Sequence, residues 1–488
     1  MISTGGYRIH RPEVTFGGSS PAVKPGVGQP SLKDNAPLAG QTAPLESFTP
    51  SQPAGLAELS GSAKRQGLSK SDKKALQEAF REGHFQSAQR HAVVIGGGPG
   101  GLAAAISLAQ NGMKVTVLEA RANEAGDKPA HARTHQISLR QDSLETLKRL
   151  GAYDDVIANS GFVEHEHHIR GDHENQVSHS KKPEGKAQDH DRWVLDPRLL
   201  HTDSVSQVRI SDVEKALLKQ AEGLGIEVRS GVQASLHKAE GSNSYGVSIR
   251  NVAKNGTGGY KEYGEATDLG VPDLVVAADG AGSPTRAALG IEVSEESASK
   301  HYLGGHIQKG IGATTRKAAI TEESGMRRHM MGTGHAKYDQ TWVSVEITPE
   351  EAKLPPEKRA ELLADKAQWV MGEEISTKDI GWGAGQLTTV QNRRAKTTTA
   401  GDNVVLIGDA AGTGSVWVGG GLNLALTTHL SALKSLSTRI QNGADTGAAM
   451  QIYDRTLQWA TTTWHRAGAS ELGGVNTTVR FEPPGKAV

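Results

Sequence analysis

The most regular feature of the chain is a set of short apolar runs that are bounded by glycine and followed by helical patterns. The runs are AVVI from Ala92, VTVL from Val115, LVVAA from Leu274 and VVLI from Val404. Near-continuous apolar runs of this length are typical of parallel strands that are buried on both faces. The pattern therefore predicts an α/β fold with a doubly wound, Rossmann-type sheet.

Two more polar regions, rich in His, Thr and charged residues, interrupt this pattern. Within the second, residues 302–308 and 340–347 alternate as strands with one face in solvent. We expect the two regions to form one inserted, β-rich domain. The predicted organisation is a disordered tail (1–65), a lead-in helix (66–88), a doubly wound domain (89–155, 205–295 and 385–440), the inserted substrate domain (156–204 and 296–384), and a C-terminal helix with a tail (441–488).

Composition and charge narrow the class of protein. Lys and Arg together number 54, as do Asp and Glu, so no overall field attracts nucleic acid. The chain has no Cys, which excludes thiolate nucleophiles, disulfides and iron–sulfur clusters. The amino end lacks a secretory signal, and glycines interrupt the only long apolar stretch, 92–109, so we expect no membrane span. The predicted location is the cytoplasm, with export through a route that reads the N-terminal tail as the alternative.

The first apolar run leads into a dinucleotide-binding pattern. Gly96, Gly98 and Gly101 follow the strand at G-x-G-x-x-G spacing, and a helix and a second strand lead to Glu119. Glycines at this spacing allow a tight turn, the approach of a pyrophosphate and close helix packing. A carboxylate at the end of the second strand accepts the hydroxyls of a ribose and would repel a 2′-phosphate. The segment predicts FAD or NAD here, rather than NADP.

Two further glycine–acid motifs follow later strands. Asp279 comes directly after LVVAA and is followed by Arg286, in D-G-x-x-S-x-x-R spacing. Asp409 follows VVLI, and a glycine-rich segment then opens a helix. A carboxylate that faces a helix N-terminus can hold a polyol chain and an anionic ring edge between them. A ribityl chain and a reduced flavin have that shape and charge.

In this order and spacing, the three motifs resemble those of the class A, aromatic-hydroxylase-type flavoprotein monooxygenases. The resemblance covers about residues 90–440. It implies that the chain binds FAD through Gly96, Gly98, Gly101, Glu119, Arg133, Val232, Asp279, Asp409, Gly419, Gly421 and Asn423. Within this set, Asp409 would hold the ribityl chain, while Gly419, Gly421 and Asn423 would face the flavin ring. Asp279 and Arg286 belong to the fingerprint that the family uses for NADPH as well as FAD.

The resemblance also implies a reaction. NADPH or NADH would reduce FAD, and O2 would then form a flavin C4a-hydroperoxide that transfers one oxygen atom to an organic substrate. The cofactor carries this chemistry, so no catalytic acid, base or metal is assigned. Only one G-x-G-x-x-G is found, which argues against a separate domain for the pyridine nucleotide. The expected partner is a small-molecule substrate, with a protein substrate as the alternative.

The sequence departs from the family pattern beside the second acid. Gly412 stands where the family has His, Val416 where it has Pro, and Thr428 where it has Asp. These departures leave FAD binding intact but leave open how flavin, oxygen and substrate meet. The alternatives are oxidation of a protein side chain, as in the MICAL-type monooxygenases, a flavin reductase that adds hydride, and a non-catalytic FAD-fold protein. A flavin halogenase is disfavoured because the W-x-W-x-I-P motif is absent.

Two local patterns complete the sequence-based predictions. Histidines cluster from His165 to His190, where a zinc or nickel site is conceivable, but their spacing favours a solvated strand and loop and we predict no metal. Ser211 and Glu214 have the spacing of a capping box for a helix that ends at Gly223.

Overall fold

The computed structural model describes twelve stretches of the chain. These are residues 89–121, 136–162, 165–170, 173–178, 205–254, 260–295, 299–312, 315–323, 326–334, 339–381, 385–414 and 420–472. The predicted tail and lead-in helix (1–88) and the candidate residues Arg133, Val416 and Gly419 lie outside these stretches.

The strands are, in chain order, β1 His91–Ile95, β2 Lys114–Glu119, β3 Gln136–Arg140, β4 Gly161–Phe162, β5 His165–Arg170, β6 His173–Ser178, β7 Val205–Arg209, β8 Glu227–Ser230, β9 Val232–Lys238, β10 Tyr245–Lys254, β11 Tyr260–Asp268, β12 Leu274–Ala277, β13 Val293–Glu295, β14 Lys300–Ile307, β15 Thr315–Glu323, β16 Met326–Gly334, β17 Thr341–Ile347, β18 Gln386–Val390, β19 Arg393–Ala395, β20 Thr399–Ala400, β21 Val404–Leu406 and β22 Gly412–Thr413.

The α-helices are α1 Pro99–Gln110, α2 Gln141–Leu150, α3 Tyr153–Ile157, α4 Ile210–Gly223, α5 Pro284–Ala288, α6 Pro356–Met371, α7 Gly420–Leu424, α8 Leu430–Gln441 and α9 Thr446–Leu472. A π-helical segment, Ala425–His429, connects α7 to α8. The C-terminal helix predicted within 441–488 is α9. No helix in the described part of the chain is long and apolar enough to cross a membrane.

The central sheet has six strands in the order β20-β21-β12-β1-β2-β8. All pairs except β20–β21 are parallel. The apolar runs that predicted these strands are buried on both faces, with α1 packed against β1 and β2. The predicted α/β fold class with a doubly wound parallel sheet is therefore confirmed.

The second large sheet has seven strands in the order β18-β14-β17-β16-β15-β5-β6. It joins the two polar regions of the sequence, because β5 from the first pairs in parallel with β15 from the second. Helix α6 packs across β14, β15, β16 and β17 and buries an apolar cluster that includes Leu303, Val343 and Val345. The role of this sheet as a substrate domain stays a prediction.

One expectation about this sheet is wrong. The segments 302–308 and 340–347 were predicted as strands with one wet face, but β14 and β17 are buried on both faces. The polar side chains that alternate with the apolar ones have internal partners: the ring of His306 lies 4.9 Å from that of Trp342, and Glu346 accepts from Lys300 at 2.9 Å. Polar residues that have partners inside the protein give the same alternation as solvated ones.

Candidate functional site

The three predicted motifs meet at one edge of the central sheet. The backbone N–H of Ala278 donates to the carbonyl of Ile95 at 2.7 Å, and that of Ile407 donates to Ala277 at 2.9 Å. These bonds extend the parallel ladder just beyond β1, β12 and β21. Since parallel strands share their carboxyl edge, Gly96, Asp279 and Asp409 emerge side by side, where ligands bind in open α/β sheets.

The first turn needs glycine for steric reasons. Gly96 has φ +109°, a conformation that L side chains rarely adopt. A Cβ on Gly101 would overlap the carbonyl oxygen of Gly96. Gly98 is extended and precedes α1, whose first turn begins with Pro99 and exposes backbone N–H groups without helical partners. The turn is thus a cradle in which backbone, rather than side chains, can contact a phosphate.

Glu119 lies at the end of β2, and its carboxylate accepts hydrogen bonds from the protein that the sequence did not predict. Its Oε2 accepts from the backbone N–H of Gly97 at 2.6 Å, and both oxygens accept from the Arg121 side chain, at 3.1 and 3.2 Å. The Arg121 backbone N–H adds a bond of 2.8 Å to Oε1. Burial opposes ionisation of Glu119, but the hydrogen bonds and charge of Arg121 outweigh it and hold the pKa of the carboxyl below its usual value.

Arg121 is a residue that the sequence analysis missed, although it stands only two positions after Glu119. It also approaches Glu214 at 3.4 Å. This contact replaces the predicted capping box, which is wrong: α4 begins at Ile210, one residue before Ser211, and its N-cap residue makes no side-chain capping bond. Because Arg121 neutralises Glu119, repulsion by the carboxylate alone does not exclude a 2′-phosphate at this position.

The D-G-x-x-S-x-x-R motif forms a compact loop. Asp279 accepts from the Ser283 hydroxyl and from the Thr285 backbone N–H, which fixes the start of α5. Arg286 donates to the carbonyls of Ala281 and Ala410, each at 2.8 Å. Both charged side chains therefore bind the protein itself, and the second bond ties this loop to the Gly408–Ala410 turn.

Asp409 faces the start of helix α7. Its Oδ1 lies 3.5 Å from the position that a Cβ on Gly421 would occupy, and Gly408 before it has φ +60°. Asn423 is fully buried; its amide oxygen accepts from the Arg140 backbone N–H at 3.0 Å, and its amide nitrogen donates to the Ser138 carbonyl at 2.8 Å. The structure therefore brings Asp409 and Gly421 together, whereas the Asn423 side chain joins β3 to α7.

Val232, another predicted cofactor residue, is a core residue. It is buried in the apolar cluster that also contains Ile95 and Leu118. The preceding residue, Gly231, donates its backbone N–H to the Arg121 carbonyl at 3.2 Å, so Val232 begins a strand beside the Glu119 end of β2.

A buried histidine accepts a hydrogen bond from the Gly408–Ala410 turn, which carries Asp409. The Gly408 backbone N–H donates to Nδ1 of His429 at 2.9 Å, and His429 ends the π-helical segment. Burial lowers the pKa of His429 to about 4, so the ring is neutral at pH 7. Neither this residue nor its helix geometry was predicted, because a single His one position after Thr428 carries no sequence signal.

No group of three or more His, Asp or Glu side chains in the described stretches is placed to hold a metal ion. The strands β5 and β6 carry four of the clustered histidines, and the cluster otherwise continues outside those stretches.

Comparison with known proteins gives one family and several similar folds. The model of the FAD binding domain family matches residues 89–457. Tetrameric 2-methyl-3-hydroxypyridine-5-carboxylic acid oxygenase is similar with a TM-score of 0.57 at 18% identity, over 81% of this chain and 94% of that one. The p-nitrophenol 4-monooxygenase PnpA from Pseudomonas putida DLL-E4 gives 0.58 at 16% identity, over 78% and 88%.

The flavin-dependent halogenase CmlS is also similar, with a TM-score of 0.56 at 19% identity, over 82% of this chain and 67% of that one. No curated protein has significant sequence similarity to the chain. At these identities the solved structures show a common fold. The family model spans most of the chain, and the chain belongs to the FAD binding domain family.

Proposed function

We propose that the protein is an NADPH- or NADH-reduced, FAD-dependent monooxygenase that inserts one oxygen atom from O2 into a small organic substrate. The observation that carries the proposal is the convergence of Gly96, Asp279 and Asp409 at one carboxyl edge of the sheet. That edge offers a glycine turn for a pyrophosphate and, across the β12 loop, a carboxylate beside a helix start.

The residues present fit FAD. Positions 96 and 101 exclude any Cβ, which leaves backbone N–H groups at the start of α1 to bind the pyrophosphate. Asp409, opposite Gly421, would accept hydrogen bonds from the ribityl hydroxyls. FAD, when bound, supplies the redox chemistry: it takes electrons from the nicotinamide and activates O2 for transfer of one oxygen atom.

Glu119 would bind the adenosine ribose only after a local rearrangement. Its carboxylate accepts four hydrogen bonds from Gly97 and Arg121, so two ribose hydroxyls must displace the donors of the Arg121 side chain. That side chain is 35% exposed and can move into solvent. We therefore propose that Glu119 binds the ribose and that the Arg121 side chain competes with the ribose for this carboxylate.

Asp279 and Arg286 would shape the cofactor site by holding the loop after β12 in place, rather than by contacting the cofactor. Their bonds hold the β12 loop against Ala410, and the nicotinamide donor would meet the backbone of this loop. Arg133 and Gly419 remain proposed FAD contacts on the strength of the family resemblance. The halogenase similarity does not become a second proposal, since the chain lacks the W-x-W-x-I-P motif.

The test starts from the purified chain, titrated with FAD and followed by visible absorption. We expect a bound-flavin spectrum, NADPH or NADH consumption with oxygen uptake, and less hydrogen peroxide per NAD(P)H once a true substrate is added. Gly101→Ala serves as the FAD-deficient control. A flavin that neither nucleotide reduces would overturn the monooxygenase proposal, and failure of the unmodified chain to bind FAD would overturn the assignment of the site.

A further inference from the structure

Two glycines after Asp409 owe their identity to the C-terminal helix. A Cβ on Gly412 would lie 2.8 Å from Cγ2 of Thr461, and one on Gly414 would lie 2.9 Å from Cζ2 of Trp464. Both partners belong to α9. This helix therefore fills the space beside Gly414 and, together with the Arg393 carbonyl at 2.9 Å, the space beside Gly412, which is one of the departures from the family motif.

Trp464 lies close to both Gly414 and Gly421. Its Cη2 is 3.0 Å from the Cβ position of Gly414 and 3.7 Å from that of Gly421. The side chain of Asp409 approaches the same Gly421 position at 3.5 Å. Trp464 is only 2% exposed, and its Nε1–H has no acceptor among the described residues. The indole is thus buried between Gly414 and Gly421.

Hydrogen bonds fix α9 in register along this region. The Tyr453 hydroxyl donates to the Leu406 carbonyl at 2.8 Å, at the end of β21. Gln458 donates to the Ala395 carbonyl at 2.8 Å, and His465 donates to the Thr413 carbonyl at 2.7 Å. Since these bonds span three turns of one helix, α9 holds the end of β21, the end of β19 and the Gly412–Thr413 strand as a unit.

We propose that Trp464 is a positioning residue for the flavin site: it sets the separation of Gly414 and Gly421 and thereby the orientation of Asp409 toward α7. The inference rests on the proposed FAD-binding function. In this chain the C-terminal helix supplies side-chain bulk beside Gly412 and Gly414, whereas these two glycines contribute only backbone. FAD affinity should therefore depend on the fit between Trp464 and Gly414.

The test is a double-mutant cycle on that fit, with FAD dissociation constants measured by titration of the apoprotein. Gly414→Ala places a methyl group against the indole, and Trp464→Phe leaves a gap beside Gly414. We expect each to weaken FAD binding about tenfold, the change that corresponds to about 1.4 kcal/mol. The double variant should recover most of the loss, because the added methyl group fills part of the gap.

Trp459→Phe is the matched control, since Trp459 lies on the same helix but is 46% exposed. It should leave FAD affinity unchanged. Thermal unfolding of each apoprotein separates positioning from a purely structural role, which would lower the melting temperature without changing FAD affinity. Single variants with unchanged affinity, or losses that simply add in the double variant, would overturn the inference. An unmodified chain that binds no FAD would instead overturn the proposed function on which it rests.

Discussion

Arg286 donates a hydrogen bond of 2.8 Å to the Ala410 carbonyl, across 124 positions of sequence. This bond joins the loop after β12 to the turn after β21, where Asp279 and Asp409 lie. A second bond from the same guanidinium, to Ala281, keeps the first loop closed. The Arg of this family fingerprint thus holds two parts of the site in place, a role that follows from its planar, multiple-donor group.

Arg286→Ala should therefore lower the free energy of unfolding by about 2 kcal/mol, because two carbonyls lose a charged donor. FAD affinity should also fall, since the Asp409 turn loses its tie. Chemical denaturation and FAD titration measure the two effects. Arg250→Ala is the control: among the described residues Arg250 forms only an exposed pair with Glu262, at 3.5 Å, and its removal should change stability by less than about 0.5 kcal/mol. Equal losses in both variants would contradict the role of Arg286.

Gly101→Ala should abolish FAD binding, because its Cβ would overlap the Gly96 carbonyl oxygen and force the phosphate turn open. Gly100→Ala is a neighbouring control: the nearest atom to its Cβ, that of Ala425, lies at 3.7 Å, an ordinary contact. Alanine is favoured over glycine by about 1 kcal/mol in a helix interior, and Gly100 lies in the first turn of α1, so stability should stay equal or rise by less than that. Titration with FAD and thermal unfolding distinguish them. A Gly101→Ala protein that binds FAD normally would refute the proposal that the turn from Gly96 to Gly101 binds the pyrophosphate.

Glu119→Ala should weaken FAD binding by about tenfold or more, because the ribose hydroxyls lose a buried acceptor. Arg121→Met should leave the affinity equal or higher, because it removes the donors that compete for the carboxylate. Equilibrium titration of both apoproteins provides the comparison. If Arg121→Met lost as much affinity as Glu119→Ala, Arg121 would itself be a cofactor contact rather than a competitor.

His429 should make the protein acid-sensitive between about pH 6.5 and pH 4. The folded pKa is lowered to about 4 from 6.5, so in this window the unfolded state binds a proton that the folded state does not. The contribution of His429 to the free energy of unfolding is fully present above pH 6.5. It decreases as the pH is lowered toward 4, by about 3 kcal/mol in total. Denaturation at several pH values measures the slope.

His429→Asn should flatten that dependence, since an amide oxygen can still accept from Gly408 but does not titrate in this range. An unchanged slope in this variant would show that other groups cause the acid sensitivity. Its FAD affinity at pH 7 should remain close to that of the unmodified chain, because the Gly408 turn keeps its acceptor.

The sequence by itself determined the central sheet and the positions of its three motifs. Apolar runs report burial on both faces, and glycine spacing reports backbone geometry, both of which are local properties of the chain. Ala92–Ile95, Gly96 and Gly101 could therefore be read correctly without knowledge of any distant residue. The prediction that β14 and β17 have one face in solvent was wrong because it used local information only. Glu346 and His306 contact partners inside the protein, and the alternation of polar and apolar residues cannot reveal such partners.

Only the tertiary structure decided how the motif residues are used. Arg121 donates hydrogen bonds to Glu119, and Arg286 donates one to the Ala410 carbonyl. His429 accepts a hydrogen bond from the Gly408 backbone, and Trp464 packs against Gly414. Except for the first, these contacts join residues that are distant in sequence, and they depend on which side chains packing brings within a few ångströms. No spacing rule encodes such contacts, because they are set by the fit of whole helices and loops against the sheet.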